Sequence, residues 1–126
     1  MQRDLFAPTD FKLETLSAPD AEIRYNQQFL TPDYADEVYQ QLAKSLAWRQ
    51  DQIKMYGKDV KIPRLQAWYG DQTAKYEYSG LMMIPHPWTP LLNELRQLVE
   101  SATGKGFNSV LANLYRDGND GMGWHA

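Results

Sequence analysis

Asn113-Leu114-Tyr115-Arg116-Asp117-Gly118-Asn119-Asp120-Gly121-Met122-Gly123-Trp124-His125 is the most informative run of this sequence. Phe107 to Tyr115 reads as a strand. Side chains alternate along a strand, so Asn113 and Tyr115 share one face. An amide and a phenol on one wall suit a small carboxylate, held through hydrogen bonds. Asp117 to Gly121 is turn chemistry, and the turn brings His125 to the mouth of that wall. An imidazole there is a candidate metal ligand, of the kind a non-haem iron site combines as two histidines and one carboxylate. Taken alone, a single histidine is more often a surface or hydrogen-bonded residue. A strand, a glycine-rich turn and an aromatic-histidine pair should lead into another strand that closes a sheet. The chain therefore reads as the N-terminal part of a longer protein.

Upstream, the signals alternate between helix and strand. Residues 1–30 read as a loosely structured lead-in, with Ile23, Tyr25 and Phe29 as material for a short strand. Thr31-Pro32 opens a helix, a capping hydroxyl followed by proline at the first helical position. Ala35, Val38, Tyr39, Leu42 and Leu46 follow at helical spacing, which predicts an amphipathic helix over 32–48. From Trp48 to Ile84, short aromatic and β-branched pieces broken by Gly57, Gly70 and Gly80 predict strands and hairpins. Thr89-Pro90 opens a second helix that carries Leu91, Leu92, Leu95, Leu98, Val99 and Ala102, with Gly104 as its stop. Trp48, Trp68 and Tyr69 read as core residues.

With 126 residues the chain is one domain or part of one, and 43% hydrophobic residues suffice for a core. No run approaches the ~20 apolar residues of a membrane-spanning helix. MQRDLFAPTD lacks the apolar region of a secretory signal. Zero cysteines exclude a disulfide framework, a thiolate zinc site and thiol chemistry. These counts fit a cytoplasmic protein that has no membrane partner. The net charge of -3 argues against a generally basic nucleic-acid coat. Its distribution is uneven, however. From Lys54 to Arg64 the bases Lys54, Lys58, Lys61 and Arg64 face only Asp59, whereas six acids between Glu14 and Glu37 face only Arg24.

The run Asn113-x-Tyr115-x-x-Gly118-x-x-x-x-Gly123-x-His125 resembles the AlkB family of iron(II)/2-oxoglutarate dioxygenases. A second match lies in Pro63-Arg64-x-x-x-x-Tyr69-Gly70-Asp71, followed by Tyr76-x-Tyr78-Ser79-Gly80. With Pro87-Trp88 and the helix after it, the likeness runs from about Met55 to His125. It is strongest to the branch of the second and third human AlkB homologues.

The resemblance implies that His125 is an iron ligand and that Asn113 and Tyr115 hydrogen-bond 2-oxoglutarate. It implies that Tyr78 stacks on an extruded base in a pocket lined by Tyr76 and Ser79, and that Arg64 contacts nucleic acid. Met55-Tyr56-Gly57-Lys58 sits where duplex-acting relatives carry a hairpin that fills the gap left by the flipped base. Tyr56 is then the wedge, and Lys54 and Lys58 the phosphate contacts. The implied reaction is oxidative demethylation of N-alkylated bases in DNA or RNA, with iron(II), oxygen and 2-oxoglutarate. Extruding a base costs about a few kcal/mol, and base-aromatic stacking of ~1–3 kcal/mol per base offsets it.

The family pattern also needs an aspartate ligand, a second histidine ligand and an arginine for 2-oxoglutarate, none of which has a counterpart here. His86, fixed between two prolines, does not stand in. These 126 residues alone are thus expected to be inactive and to bind neither cofactor. The expected class is α+β, the N-terminal portion of a double-stranded β-helix (jelly roll). Its expected parts within one truncated domain are a support region over 1–50, a substrate lid of hairpins over 51–86, and a second helix with the start of the jelly-roll core over 87–126. Exposed sheet edges favour self-association. Two other classes remain open: a non-catalytic nucleic-acid-binding module, and an oxygenase of the same superfamily acting on protein or lipid.

Overall fold

The computed structural model describes residues 12–78 and 81–123. Helix and sheet are mixed, as expected, in two compact units, one of residues 1–44 with 90–106 and the other of 45–89 with 107–126. No helix among the described residues is long and apolar enough to cross a membrane.

The first unit contains two short strands and two helices. β1 (Glu14–Leu16) pairs antiparallel with β2 (Ile23–Tyr25). The expected strand at Ile23 and Tyr25 is present, while Phe29 lies outside it. α1 spans Pro32–Ser45. Thr31 caps it, accepting the Tyr34 N–H on its hydroxyl at 3.4 Å, and Pro32 needs no partner at the first position. Asp33 in the first turn and Lys44 in the last complement the helix dipole. Tyr34 and Val38, one turn apart, are buried on one face. The Tyr34 hydroxyl donates to the Glu94 carboxylate on α2 (Pro90–Thr103), whose Leu92 is also buried. Gly104 terminates α2 with φ +69°, and its N–H returns to the Glu100 carbonyl at 2.8 Å.

α1 stops three residues short of the expected 48. The Ala47 N–H goes to the Tyr69 hydroxyl at 2.8 Å, and the Trp48 N–H to the Leu46 carbonyl at 2.9 Å. These bonds replace the helical ladder, so the periodicity through Leu46 overruns the helix.

The second unit is organised around β5 (Leu65–Gly70). One edge pairs antiparallel with β8 (Ser109–Leu114) over six residues, including Gln66 opposite Asn113 and Gly70 opposite Ser109. The other edge bonds to Arg49 and His86. Arg49 and Gln66 exchange N–H···O bonds of 2.9 and 2.8 Å, and Trp68 and Gly70 bond to His86 at 2.9 Å each. With both edges paired, β5 supplies the buried Ala67 and Tyr69, to which Leu46 and Ile62 add. Tyr69 is core as expected, while Trp48 and Trp68 are half-buried. β8 is shorter than the expected 107–115, because pairing runs out where β5 ends; Phe107 and Tyr115 fall outside it.

Two hairpins complete this unit. β3 (Gln52–Met55) pairs with β4 (Lys58–Lys61), and β6 (Tyr76–Tyr78) with β7 (Leu81–Met83). A single 3-10 turn over Gln72–Ala74 lies between β5 and β6.

Candidate functional site

The β3–β4 hairpin is exposed along its whole length, with Ile53, Met55 and Val60 among its solvent-facing residues beside the charged Lys54, Lys58, Asp59 and Lys61. Met55 pairs with Lys58, leaving Tyr56-Gly57 as a two-residue turn with φ of +52° and +77°. Positive φ at both positions matches the right-handed strand twist, which is why Asn-Gly is the usual choice there. A tyrosine in that region is a conformational outlier. The Tyr56 side chain is 98% exposed, so no packing holds it there. Lys54 faces Asp59 across the hairpin, and Lys54 and Lys58 are exposed beside the tip.

The foot of this hairpin is tied to itself and to β5. Ile62 N–H donates to the Asp51 carbonyl at 2.9 Å, and the Gln50 side-chain amide to the Ile62 carbonyl at 2.9 Å. Arg49 Nε lies 2.7 Å from Asp51 Oδ1. Next in sequence, Pro63 and Arg64 hold the turn that follows β8. The Gly121 N–H donates to the Pro63 carbonyl at 2.8 Å, and Arg64 Nη1 to the Gly121 carbonyl at 3.2 Å. Arg64 is thus half-buried and engaged with the chain itself, whereas Lys54, Lys58 and Tyr56 point into solvent.

That turn is closed by its own side chains. Asp117 Oδ1 accepts the Asn119 N–H at 2.8 Å. The Asp120 carboxylate receives Arg116 Nε at 2.8 Å, Nη2 at 3.0 Å and the Arg116 backbone N–H at 2.8 Å. This fork is both short and geometrically specific. The hydrogen bonds from Arg116 hold the Asp120 carboxyl below its ordinary value of 3.8, and the carboxylate in turn raises the guanidinium. A lowered native value means the fork stabilises the turn above pH 3.8 and is lost as pH falls through the lower native value. The Gly118–Gly121 amide resonances and the Arg116 Nε–H resonance are therefore expected to titrate together, with a midpoint below 3.8. A midpoint at or above 3.8 would remove the fork as the cause.

Asn113 lies on β8 directly opposite Gln66, and their side-chain amides meet at 3.2 Å. Tyr115 follows one residue beyond the strand and is 46% exposed. A cavity of about 610 Å³ lies beside the same strands, lined by Arg49, Gln66, Trp68, His86, Ser109 and Leu111 among others. The His86 ring sits 5.1 Å from the Tyr69 ring and is tilted 37° to it. Tyr76 and Tyr78 lie on β6 opposite Met83 and Leu81. Ser79 and His125 lie outside the described residues. Among the described residues no three metal-ligating side chains converge.

Gln66, Asp51, Arg116 and Asp120 are site-shaping residues that sequence reasoning missed. The Arg116-x-x-x-Asp120 spacing around Gly118 was an available signal for the fork. Gln66 had none, because its partner Asn113 is 47 residues away.

Residues 22–126 match the family model described as the 2OG-Fe(II) oxygenase superfamily. The chain is 42% identical over 94 residues to the DNA oxidative demethylase ALKBH2 of Homo sapiens, covering 72% of this chain and 36% of that protein. It is 35% identical over 130 residues to ALKBH2 of Mus musculus, covering 94% and 54%. To the alpha-ketoglutarate-dependent dioxygenase alkB homolog 3 of Homo sapiens it is 38% identical over 99 residues, covering 78% and 34%. The chain spans between about a third and a half of the length of these relatives. It belongs to the 2OG-Fe(II) oxygenase superfamily and, within that, to the AlkB family.

Proposed function

We propose that the whole protein repairs alkylated nucleic acid, DNA above all, by oxidative demethylation of N-alkylated bases. The observation that carries this reading is Tyr56, an aromatic side chain held almost wholly in solvent at a strained hairpin tip between Lys54 and Lys58. An exposed ring at the tip of a two-stranded hairpin suits insertion into a base stack, and the flanking lysines suit phosphates. Relatives named as DNA oxidative demethylases agree with that substrate class.

The donor chemistry of Asn113 and Tyr115, an amide N–H and a phenolic O–H, fits a carboxylate of 2-oxoglutarate. Iron with 2-oxoglutarate and oxygen would supply the oxidising chemistry. Among the described residues no complete donor set for the metal is present. What this chain's residues contribute is binding and orientation. The Arg116–Asp120 fork and the Pro63/Arg64 bonds to Gly121 fix the turn that leads toward His125, the iron ligand in this reading. Asn113 and Tyr115 would orient the 2-oxoglutarate carboxylate. Tyr56 would offset the cost of extruding a base, and Tyr76, Tyr78 and Ser79 would receive it. The jelly-roll core begins, in the same reading, with the β5–β8 pair.

The test is twofold. Formaldehyde release from methylated DNA by the protein expressed from its gene should require 2-oxoglutarate and iron(II). Affinity for an alkylated duplex should fall with salt, and Lys54→Ala and Lys58→Ala should each lower the log–log salt slope by about 1. Binding with no 2-oxoglutarate-dependent release would favour a non-catalytic nucleic-acid module. Slopes unchanged in both lysine variants would overturn the assignment of the hairpin to phosphates.

A further inference from the structure

We infer that Asp51, Gln66 and Arg64 form a positioning relay that fixes which way the Asn113 amide faces its ligand. The inference rests on the reading of Asn113 as a carboxylate contact.

The geometry allows the Gln66 amide two orientations related by a half-turn. In one, its nitrogen faces Asn113 Oδ1 at 3.2 Å, but its oxygen then lies against the Asp51 carboxylate and its nitrogen against Arg64 Nε. Turned over, the nitrogen donates to Asp51 Oδ2 at 3.3 Å and the oxygen accepts from Arg64 Nε at 3.3 Å. The second orientation replaces two like-dipole contacts by two long hydrogen bonds to charged partners, a change that favours it in sign whatever its size. Asp51 and Arg64 therefore set the orientation of Gln66.

Asn113 must follow. With the Gln66 oxygen 3.2 Å away, the group that Asn113 turns toward it has to be its NH2, because two amide oxygens cannot share that contact. One amide proton of Asn113 is then committed to Gln66, and the nitrogen keeps a second proton for a carboxylate oxygen. Released from Gln66, the Asn113 amide is free to turn and offer its own oxygen, which repels a carboxylate. All four side chains are half-buried, so water only partly competes for these bonds. The relay also has a place in the fold: Asp51 immediately precedes β3 and Arg64 lies three residues after the end of β4, so it links the foot of the aromatic-tipped hairpin to the Asn113 wall.

The sign of one substitution separates this role from simple electrostatics. Asp51→Ala removes a negative charge near a carboxylate site, and a charge effect alone would tighten 2-oxoglutarate binding. The relay requires the opposite, a weakening of about tenfold. Gln66→Met, which keeps the volume and removes the amide, should weaken binding similarly. The double variant should be no weaker than either single one, because both break the same chain of bonds.

Two measurements decide it. On the ligand-free protein expressed from its gene, exchange of side-chain amide protons with water is read by 15N-resolved NMR. The Gln66 NH2 should be protected, and Asp51→Ala should speed its exchange and that of the Asn113 NH2; unchanged Asn113 exchange in both Asp51→Ala and Gln66→Met overturns the relay. On the protein expressed from its gene, 2-oxoglutarate affinity is measured by calorimetry. Tighter binding by Asp51→Ala, or additive losses in the double variant, also overturns it. Should 2-oxoglutarate fail to bind the wild type, the functional reading fails, while the exchange measurement still decides whether the relay exists.

Discussion

A methyl group added at Gly70 is expected to cost about 3 kcal/mol of folding stability, the upper part of the range for overpacking a filled interior. An ideal Cβ there would lie 2.6 Å from the Asn108 carbonyl oxygen, 2.7 Å from Ser109 Cβ and 2.8 Å from Ser109 Cα. Two of these atoms are backbone, so no rotamer change relieves the clash. The strands must separate, yet Gly70 is held on both sides. Its N–H is bonded to the His86 carbonyl, and the next residue, Asp71, donates to the Asn108 carbonyl at 2.8 Å. Asp71 also receives Trp88 Nε1–H at 2.8 Å, which anchors the end of β5 further. Gly70→Ala therefore has to displace β8, the strand that carries Asn113. With a urea slope of about 1–3 kcal/mol per molar, the unfolding midpoint should drop by about 1 M or more at an unchanged slope. A shift under about 0.3 M would mean that β8 gives way without cost, and the rigid β5–β8 pair assumed for the carboxylate wall would have to be given up.

What the sequence discloses here is mostly local. Thr31-Pro32, Thr89-Pro90 and Gly104 mark helix ends through chemistry confined to a few residues, and the structure places the ends at Pro32, Pro90 and Thr103. The C-terminal end of α1 was not legible, because it is set by the Tyr69 hydroxyl, 22 residues from Ala47. Glu14–Leu16 was missed for a related reason. It has one apolar residue and is a strand only because Ile23–Tyr25 pairs with it. At the site, the strand that carries Asn113 was visible in its residues and the Asp117–Gly121 turn as composition, whereas Tyr115, expected on the same strand, falls one residue beyond it. The family resemblance suggested roles for Tyr56, Lys54, Lys58, Arg64, Tyr76, Tyr78 and Ser79 that no pattern in the residues supplied, and it sharpened the candidate metal-ligand reading of His125. Arg64 also has a contact that neither the residues nor the resemblance disclosed: its guanidinium donates to the Gly121 carbonyl, which depends on register across 57 residues.

Exchanging Tyr56 for asparagine is expected to move stability and binding in opposite directions. Bulky side chains in the left-handed region cost about 1–2 kcal/mol, and asparagine much less, because its short polar side chain tolerates that backbone. Asn-Gly is the preferred pair for a two-residue turn with positive φ at both positions, the geometry that Tyr56-Gly57 adopts. Tyr56 buries nothing in the fold, so its removal loses no packing. Tyr56→Asn should thus stabilise the β3–β4 hairpin by about 0.5–1 kcal/mol, seen as slower exchange of the Met55 and Lys58 amides. If the ring works by inserting into a base stack, losing ~1–3 kcal/mol of stacking weakens binding of an alkylated duplex about tenfold or more. A single strand has no gap to fill and should lose far less. The two halves of the result carry separate weight. A firmer hairpin with equal losses on duplex and single strand would keep the strain argument and end the wedge. A hairpin no firmer than wild type would mean that the tyrosine pays no conformational cost, and the strongest physical reason for assigning it a role outside folding would disappear. A local preference violated at a fully exposed position, with nothing gained in the fold, is the pattern expected where a residue is retained for its partner.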